Sequence, residues 1–536
     1  MLCLLMIPVI GAIWFVPWFV TQDGPLHIYN AHISAELSRG NPFFENVYTQ
    51  RSGLLPYSGA YRIMAWLMSI LSARAVDRLM MAITSLGFAC SVLWLRWRVA
   101  GWQGMPTMML LALLLSISRL WLYGLYPFLL GACLFPVTLG LWWKWRDELK
   151  PARAAALALL LVLGYFFHIV STGFTVLGLI LLAVATPGSN LKKRWAWTAA
   201  SLAPVAYLIF QFRSLMSDAG ESGFGWNNLE DGWSLGNWIQ YLQIPDFISI
   251  SFKTNAGVLA IPTDCPFVEE PSTQFAILSP SLWAIIAVAL LMASTLSGKS
   301  DRAEFLRGKY RGWAILILCL FAIGLFGPST IGKGSLLRER VLLLALVSLV
   351  PVLRFDIKES KAKFALVFLA LALTLQTAFI WDYALISNRI AGEFMETQPY
   401  IGSGQRVAVV IPDIRTHYLI NPHPNIANQL GVASDNVVWN NYGPNYYYFP
   451  VAFRDEGRND CAKNINHINE LFFSASAQDV ATKNPQRWAS DFGSALDQTD
   501  LLVVCGAAPW FDSLNAKMYH SELIFERGSL RIFKHK

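Results

Sequence analysis

The chain reads as an α-helical polytopic membrane protein of about 11 transmembrane helices, followed by a soluble α/β domain at its C-terminal end. Three observations predict this class. Hydrophobic residues fill 55% of the 536 positions and charged residues only 14%, with a mean hydropathy of +0.42, well away from soluble domains. Apolar stretches recur at the about 17 to 25 residues needed to span ~30 Å of hydrocarbon. The 21 Trp and 18 Tyr fit the same class, because amphipathic rings collect at the headgroup level.

Leu2 to Val20 is the first apolar run. No Lys or Arg precedes it and no small-x-small site follows it, so it reads as an uncleaved anchor rather than a signal peptide. Further spans are expected at 76–95, 104–119, 125–143, 154–170, 172–187, 195–212, 276–297, 312–328, 337–353 and 364–385. Basic clusters fall at Arg96/Arg98, Lys144 to Arg153, Lys192 to Arg194, Lys299 to Arg311 and Arg354 to Lys363. All share one side if Tyr57 to Ala73 is not a span, and excess Lys and Arg marks the cytoplasmic side. These clusters account for the net charge of +7, so nucleic acid is not an expected partner. Tyr57 to Ala73 is short and contains Arg62; it reads as a helix lying on the outer surface. The chain is then N-in and C-out, with everything after Trp381 outside.

Residues 1–385 form the membrane part, with outer loops at 21–75 and 213–275, and 386–536 form an outer α/β domain. The 213–275 loop, rich in Gly, Trp, Asn, Ser and Pro, has the composition of a cover packed over a site. In the outer domain Val407 to Ile411 and Leu501 to Val504 read as buried strands, and Glu522 to Lys534 as a hairpin around Arg527-Gly528. Cys3, Cys90, Cys133 and Cys319 fall within spans, where a thiol acts as a small apolar group. Cys265, Cys461 and Cys505 face outward, where Cys461 and Cys505 could form a disulfide. No spacing matches a zinc ligand set.

Candidate chemistry begins three residues beyond the first span, in Thr21-Gln22-Asp23-Gly24-Pro25-Leu26-His27. Asp before Gly-Pro is a good helix start, so capping is the plain alternative to catalysis for Asp23. His27, four residues on, shares its helical face, with Asn30 three further and His32 projecting elsewhere. An Asp and a His on one face could work as base and orienter, or ligate a divalent metal together.

A span, an acidic motif in the first outer loop, an outer-surface helix, and a span ending in Arg96-x-Arg98 together resemble the GT-C superfamily of integral-membrane glycosyltransferases. Asp23 to Ala31 is similar to first-loop motifs of its bacterial members, the polyprenyl-phosphate-sugar-dependent mannosyl- and arabinosyltransferases. Tyr57 to Arg98 resembles their interfacial helix and second span. In layout the resemblance covers residues 1–385. It implies an Asp acting as general base or holding a metal for inverting sugar transfer at the outer face, and Asp23 is the matching position. Many members carry Asp-Glu or Glu where this chain has Asp-Gly, so a second carboxylate is missing and a divalent metal (Mg or Mn) stays open.

The implied donor is a polyprenyl-phosphate-linked sugar, which needs a cation near the outer surface. Lys333, Arg338 and Arg340 sit where the tenth span begins. Arg340-Val341-Leu342-Leu343 is similar to the Arg-aromatic-Leu-Leu start of the corresponding span in the superfamily. On a helix Arg338 and Arg340 point roughly 200° apart, so one phosphate cannot take both. Arg340 is the first choice, with Lys333 able to share its face. Snorkelling, with a Glu339 pair, is the competing account. His168, near the outer end of the 154–170 run, is either part of the donor site or a bond to a neighbouring helix. Arg119 and Tyr123 mark an interrupted connection that reads as a cavity wall. Asp77 and Arg78 read as an ion pair holding a span to its neighbours. Tyr442 to Pro450 could stack on sugar rings, although such aromatic runs more often form core or dimer surface. His417 and His423 are too loosely spaced for ligands.

The expectation is a multi-pass glycosyltransferase of the bacterial cytoplasmic membrane, with its site and C-terminal domain on the periplasmic side. It would transfer a sugar from the polyprenyl-phosphate donor to a lipid, glycan or protein acceptor. A non-catalytic assembly partner would share the layout and tolerate loss of Asp23. A transporter would place ionisable groups at mid-membrane and show two related halves, neither of which is visible. A ligase of whole glycans would put its Arg and His in a large late loop, and 213–275 holds Arg213 and Lys253 but no His.

Overall fold

The computed structural model describes residues 1–188, 190–218, 224–225, 280–328, 330–331, 334–411, 420, 423–454, 483–484, 486, 490, 493, 495–505, 521–528 and 530–535. Helix dominates. From the amino terminus come α1 (Leu2–Phe15), α2 (Gly24–Arg39), the single turn α3 (Pro42–Glu45), strand β1 (Tyr48–Gln50) and α4 (Ser58–Leu67). The bundle continues with α5 (Ala73–Ala100), α6 (Met105–Ser116), α7 (Arg119–Leu122), α8 (Tyr126–Trp145), α9 (Pro151–Phe167), α10 (Ile169–Ala185) and α11 (Leu191–Asp218). After a short strand pair come α12 (Pro280–Thr295), α13 (Lys299–Leu306), α14 (Arg311–Phe326), α15 (Leu337–Leu349) and α16 (Ser360–Met395).

Each apolar run expected from the sequence overlaps one of these helices. Their lengths are unequal. Among the described residues five stretches are long and apolar enough to cross a membrane: Ala73–Ala100, Met105–Leu122, Tyr126–Trp145, Leu191–Ser217 and Ser360–Ile401. Leu2–Phe15, Pro151–Phe167, Ile169–Ala185 and Arg311–Phe326 are shorter apolar helices, and α12 meets the helix after it at 107°. One expectation needs correction. His168 was placed inside a span but is the extended residue (φ −162°) between α9 and α10. The boundary at 385 falls within α16, which runs unbroken to Met395.

Buried polar groups lock the bundle at both ends. Arg96 of α5 donates to the carbonyls of Pro351 (3.0 Å) and Leu353 (2.7 Å) beyond α15, and to Gln103 (2.8 Å). The first of the two arginines that end α5 is therefore a C-terminal cap for another helix. Asp77 accepts the Tyr126 hydroxyl, while Arg78 donates to the Val16 and Pro17 carbonyls at 2.6 and 2.7 Å. The span is tied down as expected, by these partners rather than by an Asp77–Arg78 pair.

The C-terminal part carries a five-stranded sheet of order β5-β4-β7-β9-β8. Strands β4 (Arg406–Val410), β5 (Val437–Val438) and β7 (Leu501–Cys505) run parallel, and β8 (Ser521–Arg527) and β9 (Leu530–His535) form the antiparallel hairpin. Both strands read from the sequence and the Arg527-Gly528 turn are present. Cys505 is buried at the end of β7; Cys461 and Cys265, and with them the expected Cys461–Cys505 disulfide, lie outside the described residues. So does most of 213–275, except for 213–218 at the end of α11 and β2 (Phe224–Gly225), which pairs with β3 (Thr330–Ile331).

The sheet's core also contains Val20, Tyr29, Ile33, Phe44 and Tyr48 from the amino-terminal segment. β1 pairs antiparallel with β6 (Val451–Phe453), aligning Tyr48 with Phe453. The Tyr29 hydroxyl donates to Asn436 O (2.7 Å) and accepts from Val438 N (3.1 Å). Helix α2 is thus wedged between the bundle and the sheet, and its first turn sits where the two meet.

Candidate active site

Asp23 is held by its backbone first. Gln22 and Asp23 donate their amides to the Leu122 and Tyr123 carbonyls, at 3.3 and 2.7 Å. The turn that offers those carbonyls needs Gly124, whose φ is +75° and where a Cβ would come within 2.6 Å of Gly24 N. Thr21 Oγ1 accepts the Gly24 amide at 3.1 Å. Asp23 therefore occupies the N-cap position of α2, yet its side chain caps nothing. Its carboxylate accepts from Asn425 Nδ2 at 2.9 Å and the Tyr442 hydroxyl at 3.4 Å. Loss of water around it pushes its pKa up to about 7, against the pull of the Arg340 charge and the Tyr442 hydroxyl. A carboxyl that titrates near neutrality is suited to accept a proton.

His27, one turn on, is buried with Nδ1 2.7 Å from the Tyr61 hydroxyl and its ring stacked 6.3 Å from Phe449. Burial, and then the Arg340 charge, hold it down to about 3. It stays neutral and its ring belongs to Tyr61; the His27 amide donates to the Asp23 carbonyl at 3.0 Å, but no side-chain hydrogen bond joins the two among the described residues.

Arg340 lies in the first turn of α15, just after Leu336, which adopts φ +58°. One terminal nitrogen sits 3.1 Å from His168 Nε2, and the guanidinium lies 5.2 Å over the Phe128 ring. A guanidinium only donates, so His168 Nε2 is bare and accepts. Arg340 is 8% exposed and its Nε has no hydrogen-bond partner among the described residues. His168 comes this close because Gly131 of α8 faces it; a Cβ there would be 3.1 Å from the His168 Cβ. Tyr57, at φ +69°, meets His168 edge-on at 4.8 Å. Left-handed backbone at Tyr57 and Leu336 is strained for residues with side chains, and such strain gathers at functional sites.

Asp23, His27, His168 and Arg340 line one cavity of about 100 Å³. Tyr57, Phe128, Tyr442, Tyr446, Tyr448 and Phe449 supply its aromatic walls. A smaller apolar cavity continues past Arg340, bordered by Val170, Phe212 and Leu337. No ion pair within 4 Å joins Asp23 to Arg340 among the described residues, so the space between a proton acceptor and a fixed cation is free for a ligand.

Other residues expected at the site lie elsewhere. Arg338 points away, donating Nε to Gly327 O at 2.7 Å, as two residues of helical rotation require. Lys333 lies outside the described residues, as does the 213–275 cover apart from 213–218 at the end of α11 and the strand Phe224–Gly225. Asn30 donates to Leu26 O (2.8 Å) and Asn441 Oδ1 (2.9 Å), joining α2 to the outer domain rather than lining the cavity. Arg119 donates to the Tyr123 hydroxyl at 3.1 Å; neither side chain lines the cavity, although the Tyr123 carbonyl anchors Asp23. Asn425 gave no sequence signal. The Tyr442 to Pro450 run was visible, but its composition alone favoured core.

The ligand atoms of His32, Glu36 and Asp435 lie within 4.8 Å of one another. His32 Nε2 is 2.8 Å from Asp435 Oδ1, while Glu36 pairs with Arg39 and accepts Asn41 Nδ2 at 3.0 Å. One helix presents two of the groups, His32 and Glu36, four residues apart. The Arg39 guanidinium already neutralises Glu36, and His32 and Glu36 lie about 13 and 20 Å along α2 from Asp23. A dication fits the cluster poorly, and none held there would reach Asp23.

No family profile matches the chain, and no curated protein does. Among solved structures it is similar to ArnT from Cupriavidus metallidurans in the apo state, at 12% identity and a TM-score of 0.44, over 99% of this chain and 96% of that one.

Proposed function

We propose that the protein is a membrane glycosyltransferase of GT-C type, moving a sugar from a polyprenyl-phosphate-linked donor to a hydroxyl-bearing lipid, glycan or protein acceptor at the periplasmic face of a bacterial cytoplasmic membrane. The observation that carries this reading is that Asp23 and Arg340 face one aromatic-walled cavity. Asp23 accepts the proton of the acceptor hydroxyl as its oxygen attacks the anomeric carbon. The bond from that carbon to the phosphate oxygen breaks on the opposite face, so a single displacement inverts the centre. The departing polyprenyl phosphate keeps the bond's electron pair, and Arg340 stabilises its charge with a preorganised, desolvated guanidinium. His168 is a positioning residue, fixing one Arg340 nitrogen and leaving the others for the phosphate. The tyrosines suit the flat face of a sugar ring and keep water out.

The test is transfer of radiolabelled sugar from purified polyprenyl-phosphate donors by the full chain in nanodiscs. Asp23→Asn is expected to lower kcat by about 10² or more with KM nearly unchanged. Arg340→Gln should lower kcat and weaken donor binding together. Full transfer by a folded Asp23→Asn protein would sink the assignment of the base.

A further inference from the structure

A second cavity, about 420 Å³, lies on the far side of Tyr61, whose ring lines it and the Asp23 cavity alike. Helix α2, the chain after β1 and helix α4 wall it. Arg39, Arg51 and Arg62 all reach it, and no Asp or Glu lines it among the described residues. The three are unequally occupied. Arg39 pairs with Glu36 behind it. Arg51 donates through one nitrogen to Pro444 O at 3.0 Å and keeps a buried Nε with no partner among the described residues. Arg62 makes no hydrogen bond or ion pair with the described residues and is exposed. A concave surface with that excess of guanidinium favours an anion with several oxygens, because the planar fork matches phosphate.

One rim of the cavity is apolar. Trp66, which lines it, is 63% exposed, and Ile63 and Ile70 beside it are 37% and 65% exposed. A water-soluble phosphate would leave that strip uncovered. A phosphate carried on acyl chains covers it, with the headgroup among the arginines and the tails along α4.

We propose that this groove binds the phosphate-bearing headgroup of a lipid and presents that lipid, as acceptor, to Asp23 across Tyr61. The acceptor role rests on the transferase reading; the binding does not. Native mass spectrometry of the detergent-purified full chain, with phosphatidylglycerol, phosphatidylcholine or glycerol 3-phosphate as probes, tests it. Phosphatidylglycerol is expected to bind about tenfold better than phosphatidylcholine, and Arg62→Gln to remove most of that preference while Arg62→Lys keeps it. Equal binding by wild type and Arg62→Gln would overturn the proposal. So would loss of the preference in Arg340→Gln alone, which puts the lipid in the Asp23 cavity. Glycerol 3-phosphate binding as tightly as phosphatidylglycerol would overturn the lipid part, since the tails would then contribute nothing. An intact preference in a protein that transfers no sugar from any donor keeps the binding, removes the acceptor role, and counts against the transferase.

Discussion

The carboxyl of Asp23 gains a proton more readily than a free Asp because the surrounding protein excludes water, and its pKa of about 7 has two consequences. As a base it works only when ionised, so kcat/KM is expected to rise with pH through about 7 and level off above it, as a pH profile of transfer would record. For stability the sign runs the other way. Between the unfolded value of 3.8 and about 7 the folded protein holds a proton that the unfolded chain has lost, so folding weakens as pH rises through this window. Asp23→Asn should therefore raise the melting temperature most at pH 8, less at pH 5, and hardly at all below pH 3.8; scanning fluorimetry across these values decides. His27 carries the opposite expectation from a metal ligand. Tyr61→Phe removes the hydroxyl bonded to its Nδ1, and should lower kcat several-fold with no change in response to a chelator, which a transfer assay with and without EDTA measures. Local sequence showed Asp23 as a helix start, and its position is indeed the N-cap. That the side chain bonds Asn425 instead was not legible, because the two are 402 residues apart.

Helix α2 does most of the positioning. Its Pro25 start was readable from residue type, since proline tolerates the first turn. Its partners were not, because they belong to the outer sheet and to the turn after α7. That turn makes a sharp test. Gly124→Ala puts a Cβ on left-handed backbone against Gly24 N, which should destabilise by about 1–3 kcal/mol and reduce transfer beyond what stability explains; melting and activity measured together separate the effects. The hairpin of β8 and β9 was legible in full, because alternation and a glycine turn are local properties. The break at His168 was misplaced by hydropathy, which sees two apolar runs but not the residue at which one helix hands over to the next.

Across the molecule, the amino-terminal segment and the C-terminal sheet share one core, so neither is expected to hold its structure alone. A chain ending at Ile401 should keep its apolar helices in the membrane, lose transfer, and expose Arg51, which loses its bond to Pro444, to trypsin; limited proteolysis in nanodiscs reads this directly. Residue order was enough to define the class, the apolar runs, the carboxylate beyond the first of them and the strands of the outer domain. These are properties of neighbouring residues, and solvent preference and period survive a reading along one dimension. Packing alone decided that Arg340, already the first choice in the sequence, shares a cavity with Asp23, that His168 backs it from 172 residues away, and that a tyrosine-rich loop forms the cavity wall. Such contacts are stabilised by the burial they share once the chain is folded, and that leaves no pattern in the residues flanking either partner.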